Sequence, residues 1–291
     1  MDRTLIGILG GLGGMLGWGT SDFLANITSE KIGHFKAFFW SQVAGAALIL
    51  LAILLFRPEF HFTPLLLGLT LFSGVAYTAG YLLFYRGFEI GNISVVSAVI
   101  NMQVLFVILI AFFLRGQQLT LIQVPALALV MLGVLLVSVN FQDFRRTKTI
   151  ALLKGFKETF LAAVIFGILY WPLNEVIVEQ VHFLVVSFLV KVTAILTVFI
   201  ISLTSQRQLK LDSLSKNILP ALIGMGFLEA LGILATSYGI THGDIILVSP
   251  ISSALTVVTV ALAVIFLKEK VSRVQLLGIA MTVAGIVLTA F

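Results

Sequence analysis

Residues 74–137 and 226–289 carry one pattern written twice. Displaced by 152 positions, Gly74 falls on Gly226, Gly80 on Gly232, Gly87 on Gly239, Gly91 on Gly243, Ser97 on Ser249, Gln123 on Gln275 and Gly133 on Gly285. Each copy reads as three apolar helices. Carried toward the N-terminus, the same displacement sets Trp18 on Tyr170 and Asp22 on Asn174. The repeat is therefore half of the chain rather than a solenoid unit, and the fold must be two like units packed on each other.

The solvent of those units follows from composition. With 59% hydrophobic and 11% charged residues and a mean hydropathy of +1.13, a soluble globular class is excluded. A helix needs about 20 apolar residues to cross a hydrocarbon core of about 30 Å. Ten segments qualify: 4–26, 35–56, 64–88, 93–114, 121–141, 156–178, 183–204, 217–241, 245–267 and 272–291. They lack the alternation of barrel strands, so helices are expected. The first segment is as long as a span and has no small-x-small cleavage site, so it reads as a retained helix. The expected fold class is an all-α integral membrane protein, with ten transmembrane helices as two inverted five-helix repeats. The repeats are residues 1–141 and 156–291, joined by a basic loop, 142–155. A multi-pass protein of the cell membrane is expected. The absence of cysteine excludes disulfides and thiolate chemistry.

An odd number of spans per half makes the second half enter from the opposite face. Inverted repeats of this kind set a binding site near the midplane and rock between two openings, the architecture of secondary transporters. Charge gives an orientation. The loops after the odd-numbered spans hold Lys31, Lys36, Arg86, Arg145, Arg146, Lys148, Lys154, Lys157, Arg207, Lys210, Lys216, Lys268, Lys270 and Arg273, which is 14 against Arg3, Arg57 and Arg115 on the other side. The positive-inside rule puts the basic loops in the cytoplasm and both termini outside. Basic runs are thus topology signals, and no nucleic-acid partner is expected.

Residues 243–288 hold Ser249-Pro250 at a helix start, a Leu-Lys-Glu-Lys turn at 267–270, then Gln275-Leu-Leu-Gly278 and Gly285. This stretch resembles the second half of a transporter of the drug/metabolite transporter superfamily with paired EamA-type domains. The first copy keeps Gln123 and Gly133 but has Gly116-Gln117 in place of Lys268-Glu269, and Ala98 in place of Pro250. The resemblance implies a ten-helix bundle that carries small metabolites through a central cavity. It also implies cytoplasmic termini, the reverse of the charge count.

Each candidate site residue has a structural reading beside the functional one. Glu229 is mid-span in the eighth segment, where an ionisable group costs about 2.5–3.5 kcal/mol by insertion scales; it is a coupling or substrate group, or an ion pair between helices. Lys191, within the seventh segment, binds an anionic group or neutralises Glu229 or Glu175. Asp22 and Glu175 fall near segment ends, at a solvated cavity mouth or a coupling site. Trp18, Tyr170 and Trp171, with Asn174, mark one level of two related helices and read as a ligand wall or an interfacial aromatic belt. Trp40, Tyr77, Tyr81, Asn101 and Gln103 lie within spans and are further candidate lining. The glycines of the first segment, Gly7 to Gly17, read as close helix packing, and Pro250 as a kink.

No hydrolase or zincin motif is present, and the four His residues all fall in loops, so no enzyme, metal or cofactor is expected. The expected function is a secondary carrier for a small polar metabolite, an amino acid first, with a proton-coupled exporter of organic cations as the alternative. A non-transporting membrane subunit or intramembrane enzyme is a third class. Expected partners are the small-molecule substrate, protons as a coupling ion and the lipid bilayer.

Overall fold

The computed structural model describes residues 3–115, 121–138, 153–211, 215–242, 248, 251–252 and 254–288. Among these every element is helical: α1 (Arg3–Ile32), α2 (His34–Phe56), α3 (Pro64–Ile90), α4 (Ile93–Val99), α5 (Gln103–Arg115), α6 (Gln123–Ser138), α7 (Phe156–Ile165), α8 (Trp171–Val178), α9 (Phe183–Ser205), α10 (Leu219–His242), α11 (Leu255–Phe266) and α12 (Arg273–Leu288). A 3₁₀ turn at Ile100–Met102 joins α4 to α5, and a π turn at Phe166–Tyr170 joins α7 to α8, so the twelve pieces trace the ten apolar segments. Among the described residues, five stretches suffice by length and composition to cross a membrane: His34–Phe56, Pro64–Ile90, Phe156–Val178, Phe183–Ser205 and Leu219–Gly239. Ser249-Pro250 and most of the 142–155 loop lie outside the described residues.

Local chemistry sets the ends and breaks. Thr63 caps α3 by accepting the Leu66 N–H at 3.2 Å, with Pro64 in the first turn. Asn92 caps α4 through the Val95 N–H, and His182 caps α9 through the Leu184 N–H. Asn101 sends its side-chain amide back to the Ser97 carbonyl at 3.2 Å, beside the 3₁₀ turn that interrupts the fourth span. Pro172 opens α8 without an N–H to give, and the helix just before it widens into the π turn.

The packing is symmetric under exchange of the halves. The α1 helix lies along α10, and its counterparts α7 and α8 lie along α3; α2 crosses α10 as α9 crosses α3; α2 meets α9, and α6 meets α12. In the last pair the same contact occurs twice. A Cβ on Gly133 would stand 2.6 Å from Gly278 O and Thr282 N, and one on Gly285 would stand 2.7 Å from Ala126 O and 2.8 Å from Val130 N. Adding 152 to 126, 130 and 133 gives 278, 282 and 285, so the two contacts are images of each other. Their order also makes α6 and α12 antiparallel. A twofold axis running along two helices would leave them parallel, so the axis lies across them, in the membrane plane. The repeats are inverted.

The basic loops gather at one end. Arg207, after α9, lies 5.4 Å from the Phe35 ring at the start of α2; the His34 N–H bonds to Glu89 near the end of α3. Glu269, after α11, accepts from the Ser94 N–H, and Gly91 packs against Lys154 O. Exposed Leu54, Leu55, Leu203 and Ile265 face outward, as a lipid-solvated surface requires.

Candidate functional site at the twofold axis

Helices α2 and α9 each have 23 residues, and aligned end to end they differ by 149, which sets Lys191 on Gln42. Helices α3 and α10 differ by 152, which sets Glu229 on Tyr77. These four side chains meet at the axis. Lys191 Nζ donates to Glu229 Oε2 at 2.5 Å and to Gln42 Oε1 at 2.9 Å. Tyr77 Oη lies 2.7 Å from Glu229 Oε1 and 3.1 Å from Gln42 Oε1; with one proton to give, it donates to the carboxylate. Lys191 is 1% exposed and Glu229 4%. Lys191 and Glu229 thus each bond to their own symmetry mate and to each other. A buried ion pair is tolerable only when its remaining valences are met, and here Gln42 and Tyr77 meet them. The ammonium also stands 5.8 Å from the centroid of the Tyr77 ring, so little of Lys191 is left to bind anything else.

Beside this cluster is a group with the opposite property. Asp22 has no hydrogen-bond or ion-pair partner among the described residues, yet it lies deep enough to interact electrostatically with Glu229, Tyr81 and Tyr85. It is only partly covered, as are Trp18 and Tyr81. Tyr81 lies 4.4 Å from Tyr77, 5.7 Å from Phe38 and 5.0 Å from Phe166, ring to ring, and Tyr77 lies 5.1 Å from Tyr170. Trp18 packs over Gly232, where an added Cβ would come within 2.8 Å of the indole. The hydroxyls of Tyr81 and Tyr170 and the indole N–H of Trp18 have no hydrogen-bond partner among the described residues. The surroundings of Asp22 therefore offer aromatic faces, hydroxyl and indole donors without partners among the described residues, and a carboxylate likewise without one.

A model of the EamA-like transporter family matches residues 5–139 and, a second time, residues 154–291. The chain belongs to the EamA-like transporter family. It is accordingly a multi-pass membrane transporter of small solutes. Among solved structures, a crystal structure whose description gives no function is 16% identical with a TM-score of 0.69, covering 99% of each chain; at that identity the likeness is one of fold alone. No curated protein matches.

In this EamA-like chain Glu229, Lys191, Tyr77, Tyr81, Tyr170, Trp18 and Asp22 converge on the centre. The structure gives five others different places. Asn101 joins the 3₁₀ turn to α11 through the Thr256 hydroxyl at 2.7 Å; Gln103 accepts from the indole of Trp171, which is 38% exposed and packs on the outer side of Tyr170 at 4.8 Å, ring to ring. Asn174 is partly exposed, and Trp40 donates its indole N–H to Leu209 O. Asp22 is not at a helix end, because α1 continues to Ile32. His34 opens α2 and His242 closes α10 rather than lying in loops.

The mate of Asp22 also changes. Gly232 packs on Trp18 and its image Gly80 packs on Phe166, so at this level the halves differ by 166 − 18 = 148, and Tyr170, not Asn174, lies at about the level of Asp22. The reason is loop length. Ten residues, 206–215, stand where 57–63 supply seven, so the 152 register holds only after that loop. Gln42 went unnoticed for the same reason, since 152 puts Phe39 on Lys191.

Proposed function

We propose that the chain is a secondary transporter that moves small organic cations, amines above all, in exchange for protons, with Asp22 as the group that holds one or the other. The supporting observation is the Asp22 carboxylate, without a partner among the described residues, one turn from Trp18 on α1 and close to Tyr81 and Tyr85. With Asp22 ionised, Asp22, Glu229 and Lys191 together carry a net charge of −1, and aromatic faces beside a carboxylate favour a cation. An ionisable group at membrane depth is a functional candidate by default. One proton for one monovalent cation keeps the site's charge constant through the cycle. The two repeats, 1–141 and 156–291, rock about the axis and open the centre to one face at a time.

An amino acid is a poorer cargo for this geometry. Its carboxylate would need a cation, and Lys191 is already committed to Glu229, Gln42 and the Tyr77 ring. The test is flux into proteoliposomes under a pH gradient, with a panel of monoamines and zwitterionic amino acids. Monoamine flux should follow the gradient, and Asp22→Asn should reduce it to background while the protein stays folded. Gradient-driven uptake of amino acids but not amines would reject the cation reading. Amine flux in Asp22→Asn at the wild-type rate would move the exchanging group elsewhere.

A further inference from the structure

At the basic end, away from the axis, a cavity of about 420 Å³ is lined by His34, Leu82, Leu83, Arg86 and Arg207. It stands apart from the transport centre and uses none of its residues. Two helices and a turn build it: the start of α2 gives His34, the last turns of α3 give Leu82, Leu83 and Arg86, and the turn after α9 gives Arg207. That turn is set by Gln206 in the left-handed region at φ 54°, and the Ser202 hydroxyl holds the Arg207 carbonyl. Arg207 is thereby brought back over Phe35.

The charges here do not cancel. The Glu89 carboxylate accepts from Arg86 Nη1 at 2.6 Å, from the His34 N–H at 2.9 Å and from His34 Nδ1 at 2.5 Å. It therefore answers one guanidinium. The other, on Arg207, has only the Phe35 ring and no carboxylate partner among the described residues. Arg86 spends one of its five N–H donors on Glu89 and keeps the rest. Two planar donor forks, one of them without a counterion, beside an apolar wall of two leucines match a phosphate oxyanion attached to an apolar or glycerol body. The site also lies at the end that carries most of the Lys and Arg, which the positive-inside rule turns toward the anionic leaflet.

We propose that this cavity is a binding site for a phosphate group, presented by an anionic lipid headgroup or by a soluble phosphate ester. The two sources are separated with short-chain probes. Delipidated protein in detergent is titrated calorimetrically with dioctanoyl phosphatidylglycerol and, separately, with glycerol phosphate. Saturable one-site binding of at least one probe is expected, weakened by about tenfold or more in Arg86→Ala/Arg207→Ala, since each guanidinium supplies charge-assisted bonds. Arg207→Ala alone, an exposed position, should give an intermediate loss. Lys154→Ala/Lys157→Ala removes the same charge from the same end outside the cavity and should bind as wild type. Lipid binding without glycerol phosphate binding assigns the lipid; binding of glycerol phosphate alone, or of both equally, assigns the phosphate ester itself. Absence of saturable binding to either probe overturns the site. So does undiminished binding in the double arginine variant, or an equal loss in the lysine control.

Discussion

Glu229 and Lys191 are a pair, and the energetics of pairs governs what their variants do. Removing one partner of a buried ion pair strands the other charge, at a cost of about 3–5 kcal/mol, whereas removing both costs far less. Glu229→Gln and Lys191→Met should each lower the thermal unfolding midpoint in detergent, and the double variant should recover most of the loss. Equal and additive losses would mean that the two charges do not depend on each other. At this scale the sequence was half legible. The depth of Glu229 and Lys191 within apolar segments marked both as exceptional. Nothing in their spacing told that each would satisfy the other, leaving Asp22 as the unspent charge. The apolar run ends near residue 26, but the helix that carries Asp22 continues to Ile32 through a mostly polar stretch, so the end of the run did not mark the end of the helix.

Among the elements, α6 and α12 are a pair whose backbones approach closely at two symmetry-related glycines. At Gly133 and Gly285 a methyl group would press on main-chain atoms of the opposing helix, which have no rotamer by which to give way. Gly133→Ala and Gly285→Ala should each destabilise by about 1–3 kcal/mol, the usual range for overpacking, and by similar amounts because the two contacts are images. The check is the unfolding midpoint of each variant; a large loss in one alone would break the equivalence. The glycines were visible in the sequence as repeated positions, and so was the helical class. The 3₁₀ turn at Ile100–Met102 and the π turn at Phe166–Tyr170 were not, because Asn101 and Pro172 act on them through local hydrogen bonding that leaves the apolar run unbroken.

For the whole molecule, the inverted repeat followed from odd span count and duplication, and the antiparallel images at Gly133 and Gly285 give it geometric form. The register between halves was legible only where loop lengths match, and failed by three or four residues before the longer 206–215 loop. Orientation is set by charge: the 14-to-3 bias of Lys and Arg predicts both termini outside. A C-terminal reporter that fluoresces only in the cytoplasm should stay dark, and a bright signal would give the opposite orientation. The central claim is narrower, that Asp22 holds either a proton or the cationic cargo. It is tested most directly by proton release on binding, followed with a pH-indicator dye in weakly buffered detergent solution at a pH where the empty site is protonated. Adding an amine that the wild type binds should release about one proton per site, with affinity falling as pH is lowered because protons compete, and Asp22→Asn should release none. Amine binding without proton release in the wild type, or unchanged release in Asp22→Asn, would contradict the account.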